Sequence, residues 1–507
     1  MTGPLRSLVI LGGGTAGWMA AASLSHFLKP LGVAITLIES EAIGAVGVGE
    51  ATIPPIMNFI RSLGMDEDEI VRACRATFKL GIAFRDWTRL GHSYLHPFGA
   101  TGFDMQGVPF YSVWRKARVE GRADDFDAYS LMAQAIKKGR FMRPSGARTS
   151  PLHGVTYALH LDASLFAQCL RRFAEARGVR RVEGRVANVA LHPETGFIER
   201  LDLENGARVD GDFFIDCSGF RGLLIEEALK TGYEDWTRWL PCDRAVAVQS
   251  ASDAPPPPHT LAVGREAGWQ WRIPLQHRIG NGYVYCSGFI DDDAAQAKLM
   301  ARLDGPAVSA PRPLRFVTGR RRRMWSRNCL SLGLASGFLE PLESTGLHLV
   351  HRGLAVFLSL LPDRACAPAN TERYNRIFAG EYERIRDFLV LHYTAVERED
   401  TPFWRHCRHL PQPDSLQERI ELFRAYGRVM PEDNELFPVQ SWQYVLTGQG
   451  IAPASTDPMA ARLDPGHVAE VLDELRAVVG RCADLMPAHG DFLDRNNLKT
   501  KLTPMEG

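Results

Sequence analysis

A chain of 507 residues, 45% hydrophobic and 23% charged, can hold more than one structural unit and has the profile of an ordinary soluble globular protein. Its 59 Lys and Arg balance 59 Asp and Glu, so no net field favours wholesale nucleic-acid binding. The 9 cysteines are scattered without C-x-x-C spacing, which argues for reduced, buried thiols in a cytoplasmic protein and against a disulfide scaffold or zinc site.

The elements are taken in chain order. Residues 7–11, SLVIL, have the continuous apolar character of a buried parallel strand, and the N-terminal stretch reads as that strand rather than a secretion signal. Three glycines follow, then a helical pattern to about Leu28. Residues 33–38, VAITLI, predict a second strand ended by Glu39, which completes one βαβ unit. A helix is expected within 158–178, starting near Asp162 and stopping at Gly178. The stretches 179–191 and 197–219 read as strands, with an Asn-Gly turn at 205 and 206. Pro255 to Pro258 form a stiff surface loop inside a β-rich section. GWQWRIPL, 268–275, predicts a strand with Trp269 and Trp271 on one face, for which plain core packing is a sufficient explanation. The basic run Arg320 to Arg323 is explained at least as well by a solvated strand end as by an anion site. From about residue 347 the pattern is mainly helical. No apolar run reaches the 18 residues of a membrane span.

Gly12-x-Gly14-x-x-Gly17 lies between the first strand and its helix, and Glu39 follows 22 residues later. The first glycine permits the tight turn, the second a close approach of pyrophosphate, the third close helix–strand packing. The helix N-terminus attracts the anion and Glu39 accepts from a ribose. Two later strand-and-glycine segments, 212–224 and 328–346, resemble the second and third FAD contacts of the aromatic-hydroxylase flavoproteins, which favours FAD over a nicotinamide. That resemblance implies an α/β fold: a doubly wound FAD-binding domain with an added β-sheet and a C-terminal helical region.

Trp269-x-Trp271-x-Ile273-Pro274, together with the glycine motif, resembles the signature of the flavin-dependent halogenases of the tryptophan-halogenase type. VGVGEATIP (46–54), FKLGIAFRDW (78–87), HPFG (96–99) and EPLESTGL (340–347) agree with that family in order. The resemblance implies a halogenase core over 1–355 and a mainly helical region, 356–507, covering the substrate chamber. It implies that reduced FAD and O2 form a flavin hydroperoxide, that chloride or bromide attacks it, and that hypohalous acid passes to Lys79. Cofactor contacts carried over are Gly12, Gly14, Thr15, Ala16, Gly17, Glu39, Val186, Leu334 and Leu347. Thr345 and Gly346 match the halide site, although an ordinary helix cap would also fit. Glu343 matches the carboxylate that relieves the cationic ring intermediate, with Glu340 as runner-up. His96, Phe98 and Phe437 match the chamber, and Trp269 with Trp271 a partition between flavin and substrate.

Members acting on free tryptophan clamp its amine and carboxylate with a Tyr-Tyr-Gly run and a later Phe-Trp pair. Here the comparable residues are Ala425-Tyr426-Gly427 and Glu435-Leu436-Phe437. Indole or an indole-like aromatic is therefore expected, with a larger or tethered aromatic and free tryptophan as alternatives. An FAD-dependent aromatic hydroxylase and a non-catalytic flavin-binding protein are the other readings. The expected partner is a separate NAD(P)H-dependent flavin reductase acting by diffusion. No nucleic acid or membrane is expected, and the chain would act as a monomer or homodimer.

Overall fold

A computed structural model describes residues 3–42 and 49–499. The chain divides into two compact units, each assembled from three stretches.

The first unit comprises Met1–Ala76, Leu161–Thr237 and Arg315–Glu383. Its main sheet has the order 325–326, 329–331, 213–216, 7–11, 34–39, 180–183. All neighbours pair in parallel except the antiparallel edge strand Trp325–Ser326. The four residues after Ser7 in the first strand are buried, as expected for a parallel strand covered on both faces. Val9 and Leu11 pack with Ile38 and Phe214 against Ile198, Leu201 and Leu203 of a small antiparallel sheet. Leu8 and Ile10, also fully buried, point to the opposite face. The helix Thr15–Leu28 lies beside the helix Ala163–Glu175. Asp162 starts that second helix as predicted, its carboxylate accepting from the Ser164 and Leu165 N–H groups.

The second unit comprises Thr77–His160, Arg238–Leu314 and Arg384–Gly507. Its seven-stranded sheet runs 312–315, 244–250, 279–285, 268–274, 260–265, 81–85, 93–97. The tryptophan strand Gly268–Pro274 is central, antiparallel to Thr260–Arg265 and to Ile279–Tyr285. A short ladder joins Thr77–Lys79 to the strand beginning at Ala158. Helices Phe110–Val119, Leu131–Lys137, Asp414–Tyr426, Val439–Gly448 and Pro465–Leu485 supply most of the rest. Among the described residues no helix is long and apolar enough to cross a membrane.

One expectation is corrected. Arg320 and Arg321 are not a solvated strand end, because both are buried on the strand Gly319–Arg321. Arg320 bridges Glu234 at 3.0 Å and Glu383 at 2.8 Å, and Arg321 meets Glu226 at 3.0 Å. Guanidinium groups tolerate this because each finds a carboxylate and also donates to a backbone carbonyl, Arg320 to that of Arg321 at 3.2 Å and Arg321 to that of Ala335 at 3.0 Å. Only Arg322 and Arg323 face solvent. Arg320→Ala should lower unfolding stability by about 2 kcal/mol, since it strands two half-exposed carboxylates. Urea melts of the variant and parent would check this.

Candidate active site

In the first unit the glycine turn is shaped by steric necessity. Gly12 has φ of 115°, and a Cβ there would overlap the Cys217 carbonyl. A Cβ on Gly17 would strike the Gly12 carbonyl, so the third glycine lets helix and strand meet. Around Gly14, by contrast, a Cβ would meet nothing within 4 Å. The helix Thr15–Leu28 begins there with no side-chain cap and no acid in its first turn. Its first N–H groups therefore suit a bound anion. These residues, Thr15 and Ala16 included, fit a dinucleotide pyrophosphate.

Glu39 ends its strand beside Gly13. Arg181 donates to its carboxylate at 2.5 Å, and Arg171 lies 3.7 Å away. The Arg181 clamp was missed in sequence, because it comes from a strand 142 residues away. It holds Glu39 in place and leaves its other oxygen lying over the glycine turn.

The other two segments follow on neighbouring strands. Asp216, fully buried, accepts from Ser218 at 2.9 Å and from Leu224 and Ile225 at 2.8 Å, pinning the turn after Phe213–Asp216. Gly333, at φ of 61°, sits where a Cβ would press on Ala16, so the third segment packs on the first helical turn. Leu334 beside it is 40% exposed, Leu347 is buried in the first turn of the helix Gly346–Ser359, and half-buried Val186 packs near Leu224.

Glu343 and Glu340 are each 1% exposed. Glu343 closes a 3-10 turn, Ser344 takes a left-handed φ of 60°, and Thr345 precedes the helix Gly346–Ser359. The Thr345 side chain does not cap that helix, and a Cβ on Gly346 would enter open space. The helix start is thus uncapped and roomy. Of VGVGEATIP, residues 46–48 lie outside the described residues. Glu50 in the strand Gly49–Ala51, passed over in sequence, has its carboxyl raised to about 7 by loss of solvation.

In the second unit Lys79 is 0% exposed, with its Nζ 5.5 Å from the Phe98 ring centroid. Phe98 donates its N–H to the Leu80 carbonyl at 2.8 Å, which fixes the two segments together. His96 and Phe437 are buried, their rings 6.2 Å apart. Phe437 stacks on Phe388 at 3.9 Å, and Trp442 meets Phe388 edge-on at 4.8 Å. Phe388 carries no motif, and Trp442, within the stretch SWQYVLTGQGIAP (441–453) that resembles the family more loosely, was not singled out in sequence.

Trp269 and Trp271 do share a face, with ring centroids 6.0 Å apart. Their surroundings differ. Trp269 is fully buried, and its neighbour Trp87 also meets Trp404 and Tyr393. Trp271 lies across Gly282, where any Cβ would enter its ring. Its buried Nε1 has no hydrogen-bond acceptor among the described residues. A buried indole N–H normally finds one.

A buried polar strut ties the lysine strand to the tryptophan strand. Thr77 donates its one hydroxyl hydrogen to the Pro274 carbonyl at 2.6 Å, so it must accept from His160 Nδ1 at 3.0 Å. His160 Nε2 then accepts from Thr260 at 2.9 Å. This assignment needs a neutral ring. Burial, and next the charge on Lys79, hold His160 well below the usual histidine range. His489 does similar work: it accepts the Phe78 N–H at 3.1 Å and donates to the Pro256 carbonyl at 2.8 Å.

These features agree with the sequence relationships. The tryptophan halogenase family model matches residues 7–465, and the chain belongs to that family. It is therefore an oxidoreductase of the flavin-dependent halogenase kind. It is 35% identical to a tryptophan 6-halogenase of Streptomyces toxytricini, over 96% of this chain and 97% of that one. Among solved structures it is similar to a flavin-dependent halogenase from Xanthomonas campestris (47% identity, 97% and 98% coverage, TM-score 0.94). It is also similar to the flavin-dependent halogenase BrvH from Brevundimonas sp. BAL3 (45% identity, 98% and 99% coverage, TM-score 0.94).

Two outcomes follow from the buried imidazoles. His160, His259 and His489 all titrate below 6.5, the last two at about 4. Between 6.5 and 4 these three imidazoles bind more protons in the unfolded chain than in the folded one, which outweighs the opposite effect of Glu50 alone, so stability falls as pH drops through that window. The urea midpoint should be clearly lower at pH 5 than at pH 7.5. His160→Phe should cost about 2–3 kcal/mol at pH 7.5 by orphaning Thr77 and Thr260, and should flatten the pH dependence, measured in the same melts.

Proposed function

We propose that this protein uses reduced FAD and O2 to chlorinate or brominate an aromatic substrate, and that the substrate is indole or an indole-like compound. The observation that carries the reading is Lys79, wholly buried beside an aromatic ring on a strand braced by its own hydrogen-bond strut. An ammonium is not placed so for stability, because its desolvation costs several kcal/mol.

In this reading Gly12, Gly14, Thr15, Ala16 and Gly17 hold the pyrophosphate of FAD and Glu39 the ribose, with Val186, Leu334 and Leu347 as further contacts. Bound FAD supplies the two-electron activation of oxygen that turns halide into hypohalous acid. Thr345 and Gly346 offer the halide the open N-terminus of an uncapped helix. Lys79 receives the hypohalous acid, either as a hydrogen-bond donor or as an amine that is halogenated. His96, Phe98 and Phe437 bind the flat ring by its faces, and Trp269 and Trp271 wall the chamber. Glu343 stabilises the cationic ring and accepts its proton. The helical region 356–507 contributes Phe388, Phe437 and Trp442 to the chamber, in keeping with a covering role. A separate flavin reductase supplies reduced flavin.

What supports an unclamped indole is the fate of the clamp positions. Tyr426 is 39% exposed, and Arg428 lies over its ring. Glu435 is already held by Arg419 at 2.7 Å and by the Trp442 indole at 2.9 Å. Neither is available to grip an amino acid's ammonium or carboxylate.

Reactions with FAD, a flavin reductase, NADH, bromide and catalase test the reading by mass spectrometry. Monobrominated indole with little bromotryptophan is expected. Preferred bromination of tryptophan would overturn the substrate assignment, and a hydroxylated product would overturn halogenation. Lys79→Ala should abolish halogenation while FAD binding, followed by fluorescence titration, is retained. Glu343→Gln should slow turnover by about two orders of magnitude, the scale of one electrostatic or proton-transfer group.

A further inference from the structure

Two cysteines of the first unit, far apart in sequence, meet in its interior. Cys74 follows the helix Glu67–Ala73, and Cys169 lies on the helix Ala163–Glu175. The Cys74 Sγ donates to the Cys169 Sγ across 3.9 Å, and an Arg172 guanidinium donates to the same Cys169 sulfur at 3.2 Å. Both thiols are free. We propose that Cys74 and Cys169 are a modification site, a peroxide-sensitive thiol pair that closes to a disulfide.

The two sulfurs are chemically unequal. Cys169 receives hydrogen bonds from Cys74 and from a permanently charged arginine, and these hold its thiol below the usual cysteine range although burial opposes them. Cys74 is driven the other way, first by donating to Cys169 and then by its own burial. Cys169 is thus the attacking thiolate and Cys74 the resolving thiol. The Cys169 sulfur attacks one oxygen of hydrogen peroxide, the O–O bond breaks and hydroxide leaves, giving a sulfenic acid. Cys74 loses its proton, its sulfur displaces hydroxide from Cys169, and the S–S bond forms. Two thiols and one peroxide become one disulfide and two waters, a two-electron oxidation of sulfur. Peroxide is the by-product to expect wherever reduced flavin meets oxygen.

The location gives the bond a consequence. The chain leaves the first unit after Ala76 and returns at Leu161, so the pair brackets the inserted stretch. A hydrogen bond from the Asp162 N–H to the Cys74 carbonyl at 3.2 Å already joins exit and return. The disulfide would make that junction covalent and close a long loop, the case in which a cross-link restricts the unfolded chain most.

The full chain is treated with stepwise hydrogen peroxide, denatured, alkylated and digested without reductant. The expected product is a Cys74–Cys169 linked peptide, two hydrogens lighter than its parts. It should appear before oxidation at Cys217, the one cysteine that is not buried, and should be reversed by dithiothreitol. The thermal transition of the oxidised protein should rise by several degrees. In Cys74→Ser, dimedone should trap a sulfenic acid at Cys169. Oxidation of Cys217 while both members of the pair remain alkylatable would overturn the proposal. So would over-oxidation of wild-type Cys169 without the linked peptide. Neither readout depends on halogenation.

Discussion

An ammonium kept out of water is the constraint around which the second unit is arranged. Lys79 stands among Phe78, Leu80 and Phe98, and a positive charge in such surroundings must be held rigidly or it will draw solvent in or escape to it. The fold answers with backbone pairing to the strand at Ala158 and with the Thr77–His160–Thr260 strut. The lysine in turn acts on its support, since its charge helps keep His160 neutral. Neutrality decides the tautomer, the tautomer decides the hydrogen bonds, and those bonds fasten the lysine strand to Pro274 at the end of the tryptophan strand. Lysine strand and tryptophan strand are one mechanical object.

In the proposed reading the first unit solves a different problem, that of bringing backbone close to an anion. Gly12 and Gly17 are needed because atoms of the protein itself would otherwise collide. Gly14 and Gly346 face open space at two uncapped helix starts. Glycine serves opposite purposes within a few residues, closeness at one and vacancy at the next.

Much of this was legible in sequence because its signals are local. The strand 7–11, the helix to Leu28, the cap at Asp162 and the shared face of Trp269 and Trp271 each follow from periodicity or from one residue's chemistry. What could not be read are partnerships across long separations. Arg181 on Glu39, His160 between two threonines, and Phe388 under Phe437 have no spacing rule. The basic run misled for the same reason. Adjacent arginines read as a solvated patch, and the carboxylates that bury Arg320 lie 86 residues before it and 63 after. The thiol pair was hidden likewise, its two members separated by 95 residues.

The parallel sheet of the first unit also sets a timetable for biosynthesis. The strand Ser7–Leu11 is made well before its neighbour Phe213–Asp216, which pairs with it from about 200 residues further along. At usual ribosomal speeds of about 5–20 residues per second, one edge of that apolar strand waits some ~10–40 s for its partner. Five of the seven strands of the sheet that the Thr77–His160 insertion joins are likewise synthesised later, beyond Arg238. The first unit is not complete until Glu383 has been made, and the second draws its last stretch from Arg384 onward. The waiting edge of the strand Ser7–Leu11 is the surface a chaperone would have to protect while the rest is made.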